Sequence, residues 1–258
     1  MLWWLFHAFV AAHIATGAVG LVIFWVPVIG RKGGQTHRRL GRLFVRCLIA
    51  TGISATGMSL CTLYDPAGTH PQLTLDPAVI RGLFGWMMLY LSVLTISLAW
   101  HGLVTIRRKA EHPAHRAWFS VGIQCAAILV ALNCALQGWL IGQPLMMGIA
   151  IVGVASGITN LAFIFKDRPS RMAYLKEHVK ALVGAGISVY TSFMTFGLAR
   201  LFPSHAFNPT LWAVPIVVGI SLIVFHHRRI DRGITFRRRE PSVPHQKFAR
   251  RIPGKAGH

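Results

Sequence analysis

The chain predicts an all-α fold, a polytopic membrane bundle of seven transmembrane helices with the N-terminus outside and the C-terminus in the cytoplasm. Three observations carry that prediction. The 258 residues are 53% hydrophobic and 13% charged with a positive mean hydropathy, too apolar for a soluble domain and too long for one helical hairpin. Seven apolar segments each come near or exceed the roughly 20 residues a helix needs to cross a hydrocarbon core of about 30 Å. The positive charge is also sorted. Of the 27 Lys and Arg, Arg31 to Arg46 holds six, Arg107 to Arg116 four, Lys166 to Lys180 five and the stretch from Arg228 onward ten, leaving only Arg81 and Arg200.

In chain order the segments run from Leu2 to Ile29, Leu43 to Tyr64, Val79 to Ile106, Ala117 to Ile141, Leu145 to Phe165, His178 to Leu201 and Leu211 to His226. The first follows no Lys or Arg and is too long for a signal-peptide core, so it is expected to remain as a span. The last is the shortest. Two apolar segments separate each basic stretch from the next, and Lys and Arg collect in short cytoplasmic loops because they are costly to translocate and the cytoplasmic leaflet is anionic. All four stretches therefore belong inside, on the cytoplasmic side. The outer connections are Asp65 to Ala78, the tight Gln143-Pro144 turn, and Pro203 to Pro209. Residues 1–227 form one transmembrane domain, and 228–258 form a basic tail that is disordered or laid on the lipid surface.

A formal charge of +20 suggests nucleic acid in a soluble protein. Here the cations flank apolar spans, so the expected partner is the bilayer with its anionic headgroups and not nucleic acid. Cys47, Cys61, Cys125 and Cys134 lie in apolar runs without a CxxC pair, which predicts buried thiols and neither a disulfide framework nor a thiolate metal site. Small residues at helix-packing intervals, such as Ala12, Thr16 and Gly20 or Gly153 and Gly157, mark close seams. They fit packing within one bundle or a homo-oligomer formed through the fifth span.

None of the seven acidic residues falls inside these segments, which weighs against a carboxylate-coupled carrier and against paired carboxylates as acid and base. Thirteen histidines remain, and most sort to the inner side. His101 near the inner end of the third span and His178 at the inner start of the sixth match in depth and are the candidate axial ligands of a haem or part of a divalent-metal site, which His37 and His115 could join. His13 near mid-membrane needs a hydrogen-bond partner, for which Asn133 or Gln124 on the fourth span and Asn160 on the fifth are candidates. In the first inner loop, Gly33 and Gly34 free backbone amides beside His37, Arg38, Arg39 and Arg42, a set suited to phosphate or carboxylate; His115 and Arg116 form a similar His-Arg pair before the fourth span.

Lys32-Gly33 with Thr36-His37-Arg38-Arg39-Leu40-Gly41-Arg42, after a span holding His13 and Gly17, resembles the loop of the bacterial membrane-protein family known as domain of unknown function 2306. His115-Arg116-Ala117-Trp118-Phe119 is similar to that family's second His-Arg-x-Trp element, and the helix from His178 through Ser188 to Thr191, Thr195 and Phe196 to its late helix. Met194-Thr195-Phe196 stands where the family has Thr-Ala-Phe, and the basic tail lies outside the resemblance. The resemblance implies a compact polytopic protein with histidines recurring at His13, His37, His115 and His178, and implies no reaction.

The reading that follows is an integral membrane protein binding a small anionic or metal-containing ligand near a cytoplasmic-side histidine cluster. A haem redox protein using His101 and His178, an accessory subunit of a larger membrane complex, and a metal-dependent lipid enzyme are its rivals.

Overall fold

In a computed structural model, residues 1–197 and 209–233 are described, and every regular element among them is helical. Helix α1 (Leu2–Ile29) ends just past Pro27, and a turn with Gly33 at φ 75°, in the left-handed region, leads into α2 (Gln35–Tyr64). Two short turns follow, α3 (Pro66–Thr69) and α4 (Pro77–Ile80), each with Pro at its start and each capped by a carboxylate: Asp65 accepts from the Gly68 amide and Asp76 from the Ala78 amide. Helix α4 continues without a break through a π-helical stretch, Arg81–Met87, into α5 (Met88–Arg107).

A single 3-10 turn, His112–Arg116, precedes α6 (Trp118–Leu140). Helices α7 (Pro144–Ile164), α8 (Arg171–Ser192, running into a π stretch, Phe193–Gly197) and α9 (Pro209–Asp231) complete the bundle. Residues 198–208 and 234–258, which include the last outer connection and most of the basic tail, lie outside the described residues.

Helix α5 is the axle. It packs against α2, α6 and α8, while α1 leans on α2, α7 on α6 and α9 on α8. About two thirds of its apolar window is buried, against 17% for α1 and α9, which present their apolar sides outward. The core runs along it through Met87, Tyr90, Leu94 and Leu98, meeting Phe24, Phe44, Leu48, Cys134, Met146 and Val183 from the neighbours. Apolar side chains cover the outer faces of α1, α6, α7 and α9 as well, as expected where the solvent is hydrocarbon.

Among the described residues, six helices are long and apolar enough to cross a membrane: α1, α2, the continuous Pro77–Arg107 unit, α6, α7 and α9. Helix α8, expected as a span from His178, begins instead at Arg171, and its first three turns bring in Arg171, Lys176, Glu177 and Lys180, which dilute its apolarity. Glu177 therefore lies within a helix of the bundle and not in a loop, and it is 12% exposed. Helix α2 likewise begins at Gln35, eight residues before the expected Leu43, so the His37 to Arg42 motif rides on helical turns and not in a loop. In both places the helix extends past the apolar run because its polar turns are satisfied inside the fold or at its rim.

Candidate functional site

Contacts gather the basic stretches at one end of the bundle. Arg116 meets Asp167 at 3.4 Å, Lys176 meets Asp231 at 2.7 Å, and His227 meets the Lys176 carbonyl at 3.0 Å. At that end a cavity of about 620 Å³ opens between α1, α2, α5, α8 and α9. Its floor is apolar, built from Phe24 and Val28 of α1, Phe44 and Val45 of α2, Leu103 and Ile106 of α5, and Val179, Leu182 and Val183 of α8. Its upper wall carries Lys32, His37, Arg38, Arg39, Arg42, Arg107, His178 and His226, and among the described residues no carboxylate lines it.

Local structure explains the wall. Residues 38 and 42 are one helical turn apart, and Arg42 Nε donates to the Arg38 carbonyl at 3.2 Å, so both guanidinia leave the same face of α2. The Pro27 and Val28 carbonyls lie in the last turn of α1, where no following helical N–H reaches them. The Lys32 ammonium turns back to cap both, Pro27 O at 2.7 Å and Val28 O, as a cation at a helix C-terminus should. The His37 ring also bonds the Pro27 carbonyl, leaving its buried Nδ1 without a partner. Burial, with a smaller contribution from the charge of Arg229, pushes the Lys32 ammonium down to about 8.

The expected histidines divide into two groups on either side of the α5–α8 seam. His37 and His178 line the cavity, joined by His226. His101 and His115 lie on the other side, where His115 and His112 stand 5.1 Å apart between ring centroids and pack against Phe163 and Tyr174. His101 also meets Phe163 edge-on. His115 is 1% exposed and bonds the Arg108 carbonyl, with Nε2 unpartnered. Burial, then the neighbouring His112 and His101 and the Arg108 charge, holds its imidazole down to about 4 despite that carbonyl.

His101 and His178 are stitched into the seam itself. His101 Nε2 meets Glu177 Oε1 at 3.0 Å, and His178 Nδ1 meets the Gly102 carbonyl at 2.7 Å. The helices close directly on each other there: a Cβ at Gly102 would approach Leu182 Cδ2 to 2.7 Å and Ala181 Cβ to 3.2 Å. Among the described residues, no three His, Cys, Asp or Glu converge as a metal site. Arg116 points away from both groups, toward Asp167, the Phe165 carbonyl and the Phe165 ring.

His13 bonds the Thr51 carbonyl of α2 at 3.2 Å, next to a Thr16 to Thr51 hydroxyl contact at 2.9 Å. Its expected partners sit elsewhere. Asn160, fully buried, donates to Gln124 Oε1 at 3.0 Å, and Ser97 donates to the same oxygen at 2.8 Å, tying α5, α6 and α7 together. Asn133 is half-buried on α6. Lys32, Arg107 and His226 are the cavity residues that sequence reasoning did not put in the site, and Glu177 is the seam residue it placed outside the spans.

Among the described residues, a helical bundle with six apolar, membrane-length helices defines the class: an integral membrane protein. No family model, curated protein or solved structure matches the chain.

Proposed function

We propose that this protein is a seven-span component of the bacterial inner membrane that binds a small anionic ligand in the basic-walled cavity. The observation that carries this reading is the lining: Lys32, Arg38, Arg39, Arg42 and Arg107 surround one partly apolar space, with no carboxylate lining it among the described residues. Like charges held together beside a low-dielectric floor repel, and an anion relieves that repulsion while accepting charge-assisted hydrogen bonds. Arg supplies the planar donor fork that phosphate and carboxylate favour.

The topology follows from the same end of the molecule. With α8 as the seventh span, the basic stretches fall on one face, which the positive-inside rule assigns to the cytoplasm, and the N-terminus falls outside. Helix α8 tolerates its polar turns because Glu177 pairs with His101 and with Lys180, the latter at 2.5 Å, and Lys176 pairs with Asp231. The kinship to domain of unknown function 2306 belongs to this proposal too, since its KGxxxHRR motif supplies four residues of the cavity wall, Lys32, His37, Arg38 and Arg39. Haem ligation by His101 and His178 is the weaker reading, because His178 lines the cavity while His101 lies across the α5–α8 seam with its Nε2 on Glu177. The basic face also suits an accessory subunit docking on a larger complex, but the cavity favours a ligand.

The test is thermal denaturation in neutral detergent with butyl phosphate at constant ionic strength. A saturable rise in midpoint that disappears in the Arg38→Gln/Arg42→Gln/Arg107→Gln variant is expected. No rise, or the same rise in the variant, would overturn the assignment.

A further inference from the structure

Resting on the anion-binding reading, we propose that the ligand is an anionic amphiphile, a phosphate or carboxylate head carrying one alkyl chain. The cavity is divided by chemistry along its depth. The cations occupy the wall at the rim, where Lys32 closes the end of α1 and Arg38, Arg42 and Arg107 stand on the first turns of α2 and the last turn of α5. The floor beneath holds Phe24, Phe44, Val45, Leu103, Leu182 and Val183 and no ionisable group.

Lining residues on α2 extend from Gln35 to Val45, a rise of about 15 Å along the helix. A compact inorganic anion would fill only the rim and leave the floor unused. A chain on the same head would cover it. The volume of about 620 Å³ lies well inside the range of roughly 300 to 1,000 Å³ that accommodates a ligand of drug size, enough for a head and a single chain. The charge is one-sided, so a zwitterion or a cation gains nothing at the rim.

Each methylene moved from water onto the floor strengthens binding by about fourfold. The experiment compares butyl phosphate, octyl phosphate, inorganic phosphate and octanol on the purified protein in a neutral detergent, reading the fraction of chains that carry one adduct by native mass spectrometry. The Arg42→Gln/Arg107→Gln variant, which changes two exposed side chains, corrects for partition into the micelle.

Octyl phosphate is expected to bind at least about tenfold more tightly than butyl phosphate, after that correction, with inorganic phosphate weakest and octanol insensitive to the substitutions. Equal binding of octyl, butyl and inorganic phosphate, all lost in the variant, would overturn the amphiphile and keep the anion site. Octyl phosphate and octanol binding alike, unchanged by the substitutions, would overturn both. A Leu103→Ser variant adds a second arm: it shortens the apolar floor on one side and should weaken octyl phosphate while leaving butyl phosphate within twofold, whereas equal weakening of both contradicts a chain on that floor.

Discussion

His101 on α5 and Glu177 on α8 meet at 3.0 Å, and the residues that follow them, Gly102 and His178, meet at 2.7 Å, so two consecutive residues of each helix are cross-linked by side chains reaching in opposite directions. The arrangement locks the register of α8 on the axle helix at the depth of the cavity. His178 can line the cavity wall only because its Nδ1 is anchored on a carbonyl of α5. A bond to a charged partner is worth more than a neutral one, and a partner left behind in a buried place adds the cost of its own desolvation.

Glu177→Ala should therefore destabilise the bundle by about 1.5 to 3 kcal/mol, since the carboxylate serves both His101 and Lys180. His101→Ala should cost a similar amount, and the double variant clearly less than the sum. Reversible unfolding in mixed micelles measures all three, and additive losses would show that the contact carries no coupling.

Anion affinity should fall as pH rises through about 8. Lys32 is held down to about 8 by burial and by Arg229, so it loses its proton there. An anion beside Lys32 favours the ammonium, which raises its pKa on binding and makes binding take up a proton between about pH 8 and the higher value of the complex. Butyl phosphate titrations at pH 7 and pH 9 should differ severalfold in wild type and by much less in Lys32→Met. A pH-independent affinity would remove Lys32 from the site.

Acid should weaken the fold through His115. Its folded value is about 4 and an exposed imidazole titrates near 6.5, so the unfolded chain takes up the proton first. The stability that the neutral ring contributes is complete above about 6.5 and is lost as pH falls toward and through 4. Unfolding midpoints measured from pH 7 to pH 4 should drop more steeply in wild type than in His115→Gln, which cannot charge.

The sequence located the helices well because hydrocarbon-crossing segments announce themselves by composition alone, and α1, α6 and α7 fall within a residue or two of the apolar runs. It misjudged the starts of α2 and α8, where polar turns extend the helix past the apolar run. For Glu177 the reason is specific: its partners are 76 residues away on α5 and three residues ahead at Lys180, and only the i,i+3 spacing is visible in one dimension. That His37, Arg38, Arg39 and Arg42 cluster was legible in the sequence. That Arg107 and His226 would complete its wall was not, because nothing in their local sequence shows which helix ends converge.

Phosphatase and fluorescent-protein fusions test the seven-span topology. A fusion in the Asp65–Ala78 connection should be active only as the periplasmic reporter, and one after His227 only as the cytoplasmic reporter. A periplasmic signal after His227 would mean that α8 does not cross the membrane.

The claim that most needs measuring is that one basic-walled cavity holds one anion. Equilibrium dialysis of radiolabelled butyl phosphate against the purified protein at pH 7 measures it directly. One saturable site per chain is expected, abolished by Arg38→Gln/Arg42→Gln/Arg107→Gln and retained in His115→Gln, whose ring lies across the seam from the cavity. Unsaturable uptake, or a site that survives loss of the three guanidinia, would contradict it.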